Sequence, residues 1–173
     1  MGKQCLLDFC LCHVHPHSWP FAGEQQKCFE SRGCHGTCLM LRCSRSYRYN
    51  LTTQKNPFLQ KRSYHFAKPI DVELMNQAAK ILIDHKDFKC FSKSKTDVKT
   101  YICDIQHAHW QQDGSELVFF IQANRFLRNM VRAIVGTLIE VGLRKISISD
   151  FEAILASRDR SQAGYSVPAH GLY

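Results

Sequence analysis

The chain of 173 residues contains no apolar run long enough to span a bilayer, and Leu6 to Cys12 is too short and too poorly flanked for a signal peptide. Neither a spanning helix nor a secretory signal is expected, and the cytoplasm is the default setting. Internal repeats and low-complexity tracts are missing too, which excludes solenoids and compositional linkers. Acid is scarce relative to base: 15 Asp and Glu face 23 Lys and Arg, for a net charge of +8. A basic balance is compatible with nucleic acid, acidic protein or anionic lipid, and charge alone does not choose among them.

Cysteine is nearly absent from the body and crowded into the head. Cys5, Cys10, Cys12, Cys28, Cys34, Cys38 and Cys43 precede residue 44, and only Cys90 and Cys103 follow. Together with His13, His15, His17 and His35 the head could be argued as a zinc module. The two-residue knuckle of most structural sites is missing, however, because Cys10 and Cys12 are separated by one residue and Cys34 and Cys38 by three. An odd cysteine count in a chain without secretory signals also argues against a disulfide framework. No metal is expected. The head lacks amphipathic periodicity, so residues 1–41 read as an unassigned segment that is mis-joined, out of frame or disordered.

From residue 42 the texture is that of a regular α+β domain. Ser46 to Thr53 alternates, with Tyr47, Tyr49 and Leu51 on one face of a strand. Asp71 is placed to cap a helix whose buried stripe is Leu74, Ala78, Ile81 and Leu82, ending near His85. Asp87 to Thr100 is polar and Lys-rich and reads as a loop. Tyr101 to Trp110 and Leu117 to Ala123 read as strands joined through Asp113-Gly114, a hairpin signal. Asn124 to Gly142 reads as a helix with two faces. Leu127, Met130, Val131, Ile134, Val135, Leu138 and Val141 form its apolar side, and Gly142 is placed to stop it. Arg125, Arg128 and Arg132 share another side, where guanidinium groups make either a solvated basic face or a site for phosphate or a buried carboxylate. Ser149 to Glu152 matches a capping box for a last helix carrying Phe151, Ile154 and Leu155.

Four words within residues 42–173 carry a resemblance: Ser44 to Tyr49, Asp87 to Ser92, Phe126 to Gly136, and Ala163 to Tyr173 with its Pro-Ala-His-Gly-Leu-Tyr ending. In that order they resemble the carboxyl-terminal half of the TruA-like tRNA pseudouridine synthases. The resemblance implies a central antiparallel sheet flanked by helices (a ferredoxin-like half), and an enzyme that isomerises uridine in the anticodon stem-loop of tRNA. It implies no cofactor and no metal, a basic cleft for RNA, and the homodimer usual in the family.

By residue, the resemblance makes Tyr47 the active-site tyrosine that stacks on the target base and Arg132 the arginine that pairs with the catalytic carboxylate. Arg45, Arg48, Arg125, Phe126, Arg128 and Asn129 become RNA-binding positions, the last four at the cleft mouth, and Leu172 the aliphatic residue beneath the uracil. One part is missing. The family's nucleophilic aspartate lies in an Arg-Thr-Asp-x-Gly-x-His stretch ahead of the Tyr47 word, and residues 1–43 contain nothing like it. Asp8 lacks the flanking arginine and glycine. Asp97, after Thr96, is followed by valine and comes too late in the chain. The carboxyl end stops one residue after Leu172, where the family continues into another strand. The expectation is an incompletely recorded synthase, with a non-catalytic RNA-binding fragment or paralogue as the alternative.

Overall fold

The computed structural model describes residues 44–59, 61–93 and 98–173. The head, with its zinc and mis-joining readings, and both Asp8 and Asp97 lie outside the described residues.

Four strands make one sheet: β1 (Arg45–Thr52), β2 (Tyr64–His65), β3 (Ile105–Asp113) and β4 (Glu116–Ala123), in the order β2-β1-β4-β3. It is antiparallel except for the two-residue β2, which runs parallel to the end of β1. The expected hairpin joins β3 to β4, and Gly114 adopts φ +55°, the left-handed conformation that a tight turn asks of glycine. Strand alternation decides which face is core. Tyr49 sits opposite Phe119 and Leu51 opposite Leu117, while Phe119 in turn faces Trp110. All five side chains are buried, whereas the opposite face carries Arg48, His107 and His109 in the open.

Three helices complete the α+β fold: α1 (Val72–Asp84), α2 (Met130–Gly142) and α3 (Ile148–Ser157). Asp71 caps α1 as expected, its Oδ1 accepting the Leu74 amide at 3.2 Å. The buried stripe is turned slightly from the expected one, with Met75, Ala78, Ala79 and Leu82 inside and Leu74 and Ile81 at its margin. Asn76 fixes α1 to the edge strand β3: its Oδ1 accepts the Trp110 amide at 2.7 Å and its Nδ2 donates to the Trp110 carbonyl at 3.2 Å. Backbone groups that would otherwise template another strand are thereby satisfied.

Three local expectations are corrected. Asp87 to Thr100 is more than a polar loop, because Lys89–Phe91 forms a 3₁₀ turn and Phe88, Cys90 and Phe91 are fully buried. The capping box belongs to Ser147 and Asp150, two residues earlier than expected; the serine hydroxyl accepts the Asp150 amide at 3.1 Å and the carboxylate accepts the Ser147 amide in return. Gly142 is the last residue of α2, and the left-handed turn falls on Arg144 at φ 58°. Glycine is needed at 142 for space, since a Cβ there would lie 2.3 Å from an Ile70 methyl and 2.6 Å from the Met75 sulfur.

Candidate RNA-binding cleft

The largest correction concerns the arginines. The helix begins at Met130 rather than Asn124, because Asn129 adopts φ 69°, a left-handed conformation that asparagine tolerates better than most residues. Arg125 and Arg128 therefore lie in the connection before α2, with only Arg132 on its first turn, and the three share no helix face. From Met130 onward the apolar side is as expected, and it extends nearly all round: Ala133, Gly136, Thr137 and Ile139 are buried with the others. Such a helix is a core element, and its two partly exposed polar positions, Arg132 and Glu140, stand out against it.

The carboxyl-terminal segment is laced between α2 and β1. The Gly164 amide donates to Thr137 Oγ1 at 3.0 Å, and the Tyr165 carbonyl passes so close to Gly136 that a Cβ would lie 1.8 Å from its oxygen. The Val167 amide donates to the Arg132 carbonyl at 3.2 Å, and Arg132 Nε donates to the Val167 carbonyl at 2.6 Å. Asn129 Nδ2 donates to Ser166 Oγ at 2.6 Å. On the other side the Tyr49 hydroxyl donates to the Pro168 carbonyl at 2.8 Å, and Arg48 and Tyr173 exchange both backbone hydrogen bonds. Burial pushes the Tyr49 phenol well above its ordinary value, so it stays a neutral donor.

This lacing opens a cleft of about 730 Å³ between the start of β1, the start of α2 and the tail. Arg45, Tyr47, Phe126, Arg128, Asn129, Arg132 and Leu172 all line it, so seven expected site residues converge from three distant stretches of sequence. Tyr47 and Phe126 meet edge to face with ring centroids 5.1 Å apart, which leaves an aromatic wall beside the arginines. The structure does not bring Arg48 or Arg125 to this lining. Arg48 is exposed, with its guanidinium 5.5 Å from the Tyr173 ring centroid, and Arg125 is partly buried near Cys103.

Lys93 and Arg160 line the cleft and were missed by the sequence reading. Arg160 stitches the tail together, donating to the Ala163 and Gly164 carbonyls at 3.1 and 3.0 Å and to Ser166 Oγ at 3.0 Å. The Arg158-Asp159-Arg160 triplet was its only sequence signal, and it is indistinguishable from a solvated loop until the fold closes. No carboxylate lines the cleft or pairs with Arg132 among the described residues. Its electrostatics are those of a receptor for an anion, with fixed guanidinium groups beside an aromatic platform. Among the described residues no group of three His, Cys, Asp or Glu side chains could hold a metal, and no helix is long and apolar enough to cross a membrane.

The profile of the family described as tRNA pseudouridine synthase matches residues 78–173. The chain is 52% identical over 130 residues to a curated tRNA pseudouridine synthase A of Parabacteroides distasonis, covering 75% of this chain and 52% of that one. It is 53% identical over 133 residues to the enzyme of the same name from Porphyromonas gingivalis, with the same coverage. A third relative so named, from Bacillus subtilis, is 40% identical over 131 residues, covering 75% of this chain and 53% of its own. The chain thus spans about half the length of the curated relatives it matches.

Proposed function

The chain belongs to the tRNA pseudouridine synthase family, and from that membership we propose that its protein isomerises uridine to pseudouridine in the anticodon stem-loop of tRNA. The reaction breaks the bond from uracil N1 to the ribose, turns the base and rejoins it through C5, with C5 giving up its proton and N1 ending protonated, so the site must grip a loosened uracil while a carboxylate acts as nucleophile. Tyr47 stacks on the target base. Leu172 supports it from below, and Phe126 with Arg45, Arg128 and Asn129 receives the flanking strand. Arg132 holds the nucleophilic carboxylate ionised. The observation that carries this reading is the fixing of the Arg132 guanidinium by Val167 on the wall of a cleft that also holds Tyr47 and Leu172. Family membership also supports a homodimer acting in the cytoplasm, and sedimentation of the protein should give a dimer's mass.

The residues present do not supply the nucleophile, since residues 1–43 hold no Arg-Thr-Asp stretch. This chain alone is therefore expected to bind tRNA without converting it, because orienting groups act as a unit with the nucleophile they serve. A second reading, a non-catalytic RNA-binding module, is favoured by the absence of any acid among the described residues lining the cleft. Carbodiimide labelling of a tRNA transcript separates the two readings. Under the first, a hybrid carrying the amino-terminal half of the Parabacteroides distasonis relative converts uridine and the 173-residue chain does not. An inert hybrid that still binds tRNA favours the module, and conversion by the chain alone overturns the assignment of the missing acid. Translation of the upstream nucleotides in all frames gives an independent check, because the synthase reading expects the Arg-Thr-Asp word there.

A further inference from the structure

A second, smaller cavity of about 440 Å³ is lined by Lys89, Lys93, Tyr101, Arg158, Asp159 and Arg160. Lys93 and Arg160 line both cavities, so the two adjoin across a shared basic wall. Each new cation is held by a different device. Lys89 rides on the 3₁₀ turn whose neighbours Cys90 and Phe91 are buried, and its Nζ sits 5.8 Å from the Tyr101 ring centroid. Arg158 occupies the left-handed cap of α3 at φ 56°, with its Nε 3.0 Å from Asp87 Oδ2 and the rest of a largely exposed guanidinium open to a ligand. Arg160 is fixed by its bonds to the tail.

The acids do not cancel this charge. Asp87 neutralises one cation, and among the described residues Asp159 carries the only acidic side chain in the lining. Its Oδ1 accepts the Ser161 amide and its Oδ2 the Ser161 hydroxyl, which ties the carboxylate back to its own turn. Among the described residues Lys89 makes no ion pair, so the lining keeps a cation for a ligand. Compact basic cavities of this kind suit phosphate oxygens. Adjacency to the cleft that receives the target nucleotide makes the phosphate of a neighbouring nucleotide the fitting occupant.

We infer that Lys89 and Arg158, with the shared Lys93 and Arg160, form a second phosphate subsite that holds the RNA backbone as it leaves the uridine-binding cleft. This rests on the reading of the first cleft as an RNA site and extends it to residues outside that cleft. Each phosphate contact to a single strand contributes about 0.7 to the slope of log affinity against log salt. Titrating the 173-residue chain with a fluorescent tRNA anticodon stem-loop at a series of salt concentrations reads that slope directly.

Lys89→Gln and Arg158→Gln are each expected to lower the slope by about 0.7 and to weaken binding several-fold at low salt. Free uridine, which carries no phosphate to place in the second cavity, should bind both variants as well as it binds the parent chain. Lys89 is exposed on a surface turn, so Lys89→Gln keeps the test open should Arg158→Gln lower the melting midpoint. Unchanged slopes in folded variants, with Arg128→Gln still weakening the stem-loop, would overturn the second subsite alone. Salt-independent binding by the parent chain would overturn the RNA reading of the first cleft with it. Anionic phosphatidylserine vesicles that compete for Lys89 as strongly as the stem-loop does would also overturn the assignment to RNA.

Discussion

Replacing Gly136 by alanine tests the contact that aims Arg132. In an isolated helix the change would stabilise by about 1 kcal/mol, because alanine is the better helix former. Here the new methyl would lie 1.8 Å from the Tyr165 carbonyl oxygen and 2.9 Å from its carbon, both backbone atoms that no rotamer change can move aside. Overpacking a core costs about 1–3 kcal/mol, and a backbone obstacle puts this site at the upper end. The displaced segment would also strain the Gly164-to-Thr137 bond and the paired bonds between Arg132 and Val167, each with a net value of about 1 kcal/mol. After the helix-propensity gain is subtracted, a net loss of about 3–4 kcal/mol remains, a large share of a typical domain's stability. Gly142→Ala is the control. Its obstacles are the end of Met75 and a methyl of Ile70, which can yield, so about 1–2 kcal/mol is expected. Urea titrations of both variants with unchanged m values give the comparison. A Gly136→Ala loss below about 0.5 kcal/mol, or one smaller than that of Gly142→Ala, would show that the tail does not seat on α2 as described, and the placement of Arg132 would fall with it.

Ile134→Ala, at a fully buried position beside Arg132, is expected to cost about 2–5 kcal/mol in the same titration. Arg132→Ala should cost only about 1.5 kcal/mol, for its charged hydrogen bond, yet weaken tRNA binding more than Ile134→Ala does; the reverse ordering would make Arg132 structural. Burial pushes the Cys90 thiol up to about 12 and raises that of Cys103 as well, so peptides containing either should escape iodoacetamide in the folded chain and become labelled in denaturant. Labelling at the rate of an open thiol would contradict their burial. The Arg144 side chain and then the Leu74 amide hold the Asp71 carboxyl below the usual carboxylate range, so its stabilising effect is present near neutral pH and lost as pH falls through that depressed value. The stability gap between the parent chain and Asp71→Ala should close in acid, and a gap that is constant with pH would remove the carboxylate from the argument.

What could be read from the sequence divides along physical lines. Local patterns with one cause were legible: the alternation of Tyr47, Tyr49 and Leu51, the Asp113-Gly114 turn, the Asp71 cap and the apolar stripe of α2 all follow from side-chain period or turn sterics. The start of α2 was not, because Leu127 keeps the helical spacing while Asn129 turns left-handed; periodicity records burial, and Leu127 is buried without being helical. Phe88, Cys90 and Phe91 were hidden inside a Lys-rich stretch because a 3₁₀ turn buries residues with no long-range period. The Ser149 cap was displaced to Ser147 because both serines precede an acid three residues on, and the local pattern does not choose between them. Seven cleft residues were legible through the family words, which carry the convergence of distant segments that no local rule contains. Arg160 was not, since its importance lies in three bonds made only after the tail folds back.

The central claim is that the cleft between β1, α2 and the tail receives a uridine, and photocrosslinking tests it most directly. An anticodon stem-loop carrying 4-thiouridine at single positions is bound to the chain, irradiated and mapped by mass spectrometry. Adducts on Tyr47, Phe126 or Leu172 from one or a few loop positions, suppressed by high salt, are the predicted result. Adducts concentrated on His107, His109 and Phe120 of the opposite sheet face, with the cleft unmarked, would contradict it.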